Sequence, residues 1–186
     1  MRHLSLAPLL LSAAAVGPAA AQECPEPPDH AAELGDLIGA ARAAPDEAEG
    51  RRLSDAMWEL WTDAPDTRAQ ELLDEGMSRR ESRDYAGAMD AFEALVAYCP
   101  DYAEGYNQRA YIHFLRGDFE AALPDLDRTL ARAPRHVAAL AGKALTLHAL
   151  GRNAEAVLAL RAALDLNPWL GERHLLPVLE AQEDEI

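Results

Sequence analysis

Apolar positions in this chain recur at steps of three and four residues and do not alternate. Tyr106, Ala110, His113 and Phe114 form one such stripe, and Phe119, Ala122, Leu123, Leu126 and Leu130 form the next. Between them lies Gly117-Asp118, where glycine closes the first helix and aspartate caps the second. Gly151 and Asn153 mark the same break one unit later, and Ser82, Arg83 and Asp84 mark it one unit earlier without a glycine. The pattern predicts pairs of amphipathic helices and no strand.

The pairs are copies of one unit. Pro100, Pro134 and Pro168 are spaced by 34 residues, and the same register aligns Gly76, Ala110 and Ala144, then Ala88, Ala122 and Ala156, then Phe92, Leu126 and Leu160. Two antiparallel helices approach to roughly 8–10 Å only where small side chains meet, which gives the glycine and alanine columns a packing role. The larger residues fill the space between turns, and each proline ends its unit because it lacks a donor and disfavours helix before it. The register predicts three hairpins over 69–102, 103–136 and 137–170.

With that spacing, and with GDFEAALPDLDRTLARAP as a second helix, the chain resembles the tetratricopeptide repeat (TPR) family. Leu72, Tyr106 and Leu140 suit the family's first slot. Glu75, Arg109 and Lys143 replace its usual leucine, and Arg79 and His113 stand where tyrosine is usual. The resemblance implies an all-α fold, a right-handed α-α superhelix whose stacked first helices line a concave groove for an extended peptide or a partner helix. Helical phase puts Leu73, Met77, Asn107, Tyr111, Leu145 and His148 on that groove. The family's clamp of lysines, arginine and asparagines for a carboxylate chain end is missing, because its slots hold Leu73, Met77, Gln108, Ala138 and Gly142.

Both flanks extend the pattern. Residues 30–43 and 46–62 predict another helical pair over 30–66, with Trp58 and Trp61 one repeat length before Phe92 and Leu95. This pair reads as a degenerate repeat or as a plain capping hairpin: Pro65 is one residue out of register, and Arg42 and Ser54 occupy small-residue slots. The two tryptophans read first as core of that hairpin and second as an aromatic binding stripe. Downstream, 171–186 predicts a capping helix and acidic tail that lays Leu170, Leu175, Leu176 and Leu179 over the last hairpin, with Pro177 kinking or splitting it. Pro124, early in a second helix, poses the same question.

The N-terminus changes the setting. Arg2 and His3, an apolar run from Leu4 to Val16 and the small residues Ala19, Ala20 and Ala21 form an expected signal peptide, cleaved after Ala21, and they place the mature protein in the periplasm. The run is too short to span a bilayer, so no membrane span is expected. Residues 22–29 carry three prolines and three acids and predict an extended leader. Export would permit one disulfide, Cys24 to Cys99; the alternative is a buried Cys99 at a helix end and a free Cys24, and no motif chooses between them.

Composition narrows the partners. With 32 acidic against 17 basic residues and a formal charge of −15, nucleic acid is an unsuitable ligand. The chain has no nucleophile elbow, metalloprotease helix, phosphate loop or CxxC pair, so no enzyme, cofactor or metal site is expected. His113 and His148 lack a third ligand, and the acids at 125–128 and 180–185 lack a calcium loop's spacing. The expected function is that of a scaffold binding a peptide or helix of an exported or envelope protein. The alternatives are a structural homo-oligomer using its own groove and, less favoured, an enzyme accessory subunit.

Overall fold

The computed structural model describes residues 23–183; the expected signal peptide with its cleavage point and the last three residues of the expected acidic tail lie outside them. Every regular element of the described part is helical: α1 (Ala31–Ala43), α2 (Glu47–Trp61), α3 (Thr67–Glu81), α4 (Tyr85–Tyr98), α5 (Ala103–Leu115), α6 (Phe119–Arg132), α7 (Val137–Ala149), α8 (Asn153–Leu166), a 3-10 turn (Gly171–Leu175) and α9 (Leu176–Glu183), with residues 23–30 outside any helix. None of these helices is long and apolar enough to cross a membrane.

Helices α3 to α8 pair into three hairpins, each packed against the next, which makes an α-α superhelix. The small-residue columns lie on the seams: Ala88, Ala122 and Ala156 have no exposed surface. The tightest approach is at Gly76, where an added Cβ would sit 2.3 Å from the ring of Phe92, itself fully buried. Ala110, Ala144, Leu126 and Leu160 are likewise buried. The repeat prolines occupy the turns after α4, α6 and α8, with the bends that follow closed by Tyr102 N–H to Cys99 and His136 N–H to Ala133.

The turns inside hairpins need a left-handed residue. Gly117 (φ 78°) and Gly151 (φ 71°) supply it, and in the first repeat Arg83 (φ 64°) does so with a side chain present. Pro124 is accommodated inside α6, facing solvent. The C-terminal segment is split as the proline suggested: a 3-10 turn precedes α9, and Pro177 sits at the second position of that helix, where its missing donor has no partner to lose. Leu179 is buried against α7 and α8 with Leu175 and Leu176 around it.

Several of the family-slot departures carry polar contacts within or between hairpins. Arg109 reaches from α5 to α6 and pairs with Asp125 at 2.7 Å, and that bond, largest among its influences, raises the guanidinium's pKa further. Lys143 on α7 reaches Asp127 on α6 of the preceding hairpin, and Arg79 bonds Glu75 within α3 and Asp84 at the start of α4.

The first hairpin does not continue the stack. Helices α1 and α2 pack on each other, but their further contacts cross the edge of repeats 2 and 3, with Leu34, Ile38, Leu53 and Met57 gathered on Val137, Leu166 and Leu170. The two residues that broke the small-residue pattern point outward to make this docking. Arg42 bonds Asp165, and Ser54 accepts from the amide of Asn167 at 2.7 Å. Gly50 lets Trp169 lie against the α2 backbone, where a Cβ would fall 2.3 Å from the indole.

Candidate peptide-binding groove

Three layers converge on the concave side: α2 from the docked hairpin, the first helices α3, α5 and α7 of the repeats, and the segment after α8. Between them lies a mostly apolar cavity of about 320 Å³, with Trp58, Arg80, Asn107, Tyr111, Leu145, Leu170 and Glu172 among its walls. Tyr111 stands out, because 45% of it remains exposed where most large apolar side chains of the repeats are covered. The Arg80 guanidinium lies over its ring, 5.4 Å from the centroid.

Of the residues assigned to the groove by helical phase, Asn107, Tyr111 and Leu145 line this cavity. Leu73 does not; it is fully buried in the core cluster that α3 shares with Ala88, Phe92 and Leu95 of α4 and Ile112 of α5. Met77 packs against that same core at its margin. His148 turns to its own hairpin and hydrogen-bonds Asn153 at 2.9 Å. His113 is near its hairpin's Asp118, at 4.0 Å, and the two histidines form no common site. Among the described residues no group of three His, Cys, Asp or Glu side chains could hold a metal ion.

The tryptophans divide the roles weighed for them. Trp58 walls the cavity, whereas Trp61 stacks on His136 with ring centroids 4.1 Å apart. Its carbonyl accepts the Tyr102 hydroxyl at 2.7 Å, and burial, the largest cause, pushes the pKa of that phenol strongly up, so it stays a donor.

Beneath the cavity lies a polar chain that sequence reasoning missed. His136 accepts the Ala139 N–H on Nδ1, capping α7, which leaves Nε2 to carry the hydrogen donated to Glu104 at 2.7 Å. Glu104 also receives Gln108 and Asn107, and Gln108 in turn accepts from Arg80 at 2.5 Å. All partners of Glu104 are donors, which suits a carboxylate. A carboxylate beside histidine resembles an acid–base pair, yet both are buried and each polar atom is already engaged, so the pair builds the wall and orients Arg80. The sequence signal was slight: histidine and glutamate 32 residues apart in a 34-residue repeat lie two residues from equivalence.

Away from the residues that line the cavity, Cys24 and Cys99 form a disulfide with Cα atoms 5.2 Å apart, which fixes the leader to the turn after α4.

The comparisons agree with this architecture. A tetratricopeptide repeat profile matches residues 73–125 and 116–168, together more than half of the chain. A TPR repeat-containing protein of Rhizobium etli is 30% identical over 108 residues, covering 58% of this chain and 53% of that protein. The tetratricopeptide repeat protein 36 homolog of Nematostella vectensis is 39% identical over 74 residues, 40% of this chain and 41% of its own length. The chain thus spans about half the length of these relatives. Among solved structures, the first TPR of Spaghetti (RPAP3) bound to the HSP90 peptide SRMEEVD shares the fold with a TM-score of 0.61 at 20% identity, over 63% of this chain and 94% of that one. MamA of Desulfovibrio magneticus RS-1 has a TM-score of 0.58 at 16% identity, over 84% of this chain and 88% of its own. By its repeat register, its stacked hairpins and the matching profile, this chain belongs to the tetratricopeptide repeat family.

Proposed function

We propose that this protein is an exported, non-catalytic scaffold that holds a segment of another envelope or exported protein on its concave face. The observation that carries the reading is the half-exposed Tyr111 at the centre of an apolar cavity, with Arg80 above it and Leu145 beside it. A cavity of about 320 Å³ takes one or two side chains of an extended segment. That volume suits an extended segment better than a whole helix, roughly 10 Å across. The bound HSP90 peptide on the similar Spaghetti domain supports a peptide as the ligand class. The Cys24–Cys99 bond supports an oxidising compartment, in keeping with the signal-peptide pattern and cleavage after Ala21.

Crosslinking followed by pull-down from the envelope fraction tests the reading. Tyr111→Ala combined with Leu145→Ala is expected to lose the partners that the unmodified protein captures, at least tenfold, with helicity unchanged. Capture unaltered by that double variant would sink it. N-terminal sequencing of the mature protein checks the cleavage point.

A further inference from the structure

Helices α1 and α2 are tied to the rest of the chain at both ends. Residues 62–66 join them to α3, and the leader returns through Cys24 to Cys99, closing a loop of 75 residues in sequence separation. The surface beneath them belongs to repeats distant in sequence: Val137 and the turns holding His136 and Asn167. This contact is built differently from the repeat seams. Its rim consists of exposed or half-exposed ion pairs, Arg42 with Asp165 and Glu47 with Arg173. Its interior leaves the indole N–H groups of Trp61 and Trp169 buried without an acceptor. An unmet buried donor is a standing cost of the docked state that water relieves on release. Hence the hairpin covers an apolar surface through an interface with polar edges and two unsatisfied donors.

We propose that the edge of repeats 2 and 3 beneath α2 is a second, helix-receiving surface, covered by α1–α2 as an intramolecular strap. Its partner is an amphipathic helix that presents two aromatic side chains three residues apart, as α2 presents Trp58 and Trp61. The Cys24–Cys99 bond sets access. While it is closed, a strap that lets go is held at high effective concentration and returns before a partner helix docks. A dithiol reductant opens it: the two thiols of the reductant give up two electrons and two protons, the cysteines become two thiols, and the reductant leaves as its own disulfide. The strap is then held through residues 62–66 alone. The inference shares with the scaffold reading the assignment of a partner to repeats 2 and 3, and Trp58 of the strap also walls the Tyr111 cavity. That reading stands or falls on the Tyr111 and Leu145 variants, and this one on dependence on the disulfide.

The test uses the full chain and a labelled peptide with the sequence of residues 46–62, followed by fluorescence anisotropy. The oxidised protein is expected to bind at least tenfold more weakly than the same protein in a dithiol reductant or the Cys24→Ser variant. A peptide carrying both Trp58→Ala and Trp61→Ala is expected not to bind. Hydrogen exchange on the unmodified chain gives the second readout, with amides of 47–61 exchanging at least tenfold faster after reduction while those of α5 to α8 keep their protection. Equal peptide affinity in the oxidised and reduced states, or unchanged exchange of α2 on reduction, overturns the proposal.

Discussion

The α3–α4 hairpin and the α1–α2 hairpin have similar lengths and the same two-helix form, yet they are placed by different physics. In α3–α4 the seam is glycine against a buried ring, Gly76 against Phe92, and the next hairpin sets alanine and leucine, Ala110 and Leu126, in the same register, so position follows from period. In α1–α2 the corresponding slots hold Arg42 and Ser54, which bond Asp165 and Asn167 more than a hundred residues away. Both pairs bury apolar side chains. Small residues turned inward let a hairpin stack on its neighbour in sequence, whereas polar residues turned outward send it to a distant edge.

The contrast is open to test, starting with the core. Phe92→Ala is expected to cost about 3–5 kcal/mol of global stability, because a fully buried ring leaves a cavity that the seam cannot close. Ile38→Ala, also in a core but that of the strap, should mainly open α1–α2 and leave the main chemical-denaturation midpoint nearly in place. Equal global losses for the two would show that the hairpins are one cooperative unit.

A smaller effect is expected at the two close glycines. Gly76→Ala forces a Cβ into Phe92 and should cost about 1–3 kcal/mol in the repeats. Gly50→Ala presses on Trp169 instead and should show as faster hydrogen exchange in α2 with the repeats still protected. If Gly50→Ala lowered protection across α5 to α8, the strap would have to be counted as part of the superhelix.

Acid should weaken the repeats through their caps. The pKa of Asp66 is lowered first by the Tyr98 hydroxyl and then by the Ala69 N–H, and that of Asp84 by the Gly87 N–H and then by Arg79. A carboxyl whose folded pKa is depressed contributes stability that is full above the ordinary aspartate range and is lost as pH falls through the lowered value. Thermal midpoints should therefore drop on acidification below that range, and Asp84→Asn should make the drop shallower. The smallest effect is a gain: Arg83→Gly should stabilise by about 1 kcal/mol, because it removes a side chain from a left-handed position that Gly117 and Gly151 fill without strain.

Much of the fold was legible, since a 34-residue register is a statement about packing that any reader of the sequence can make. The groove was legible only in part. Tyr111, Asn107 and Leu145 follow from helical phase, but Leu73 is taken up by the core that α3 shares with α4 and α5, and His148 was claimed by Asn153. Arg80 and Trp58 were not assigned to the groove, because one depends on the Glu104–Gln108 chain beneath it and the other on a hairpin arriving from outside the stack.

By itself the sequence determined the helices, their pairing and the three stacked units, for these rest on local periodicity and on small residues recurring at a fixed step. Tertiary structure alone decided where the first hairpin lies, that Cys24 meets Cys99, and how much of the concave face stays open. Those are contacts between residues far apart in the chain, and they follow from which surface offers matching shape and partners once the superhelix exists.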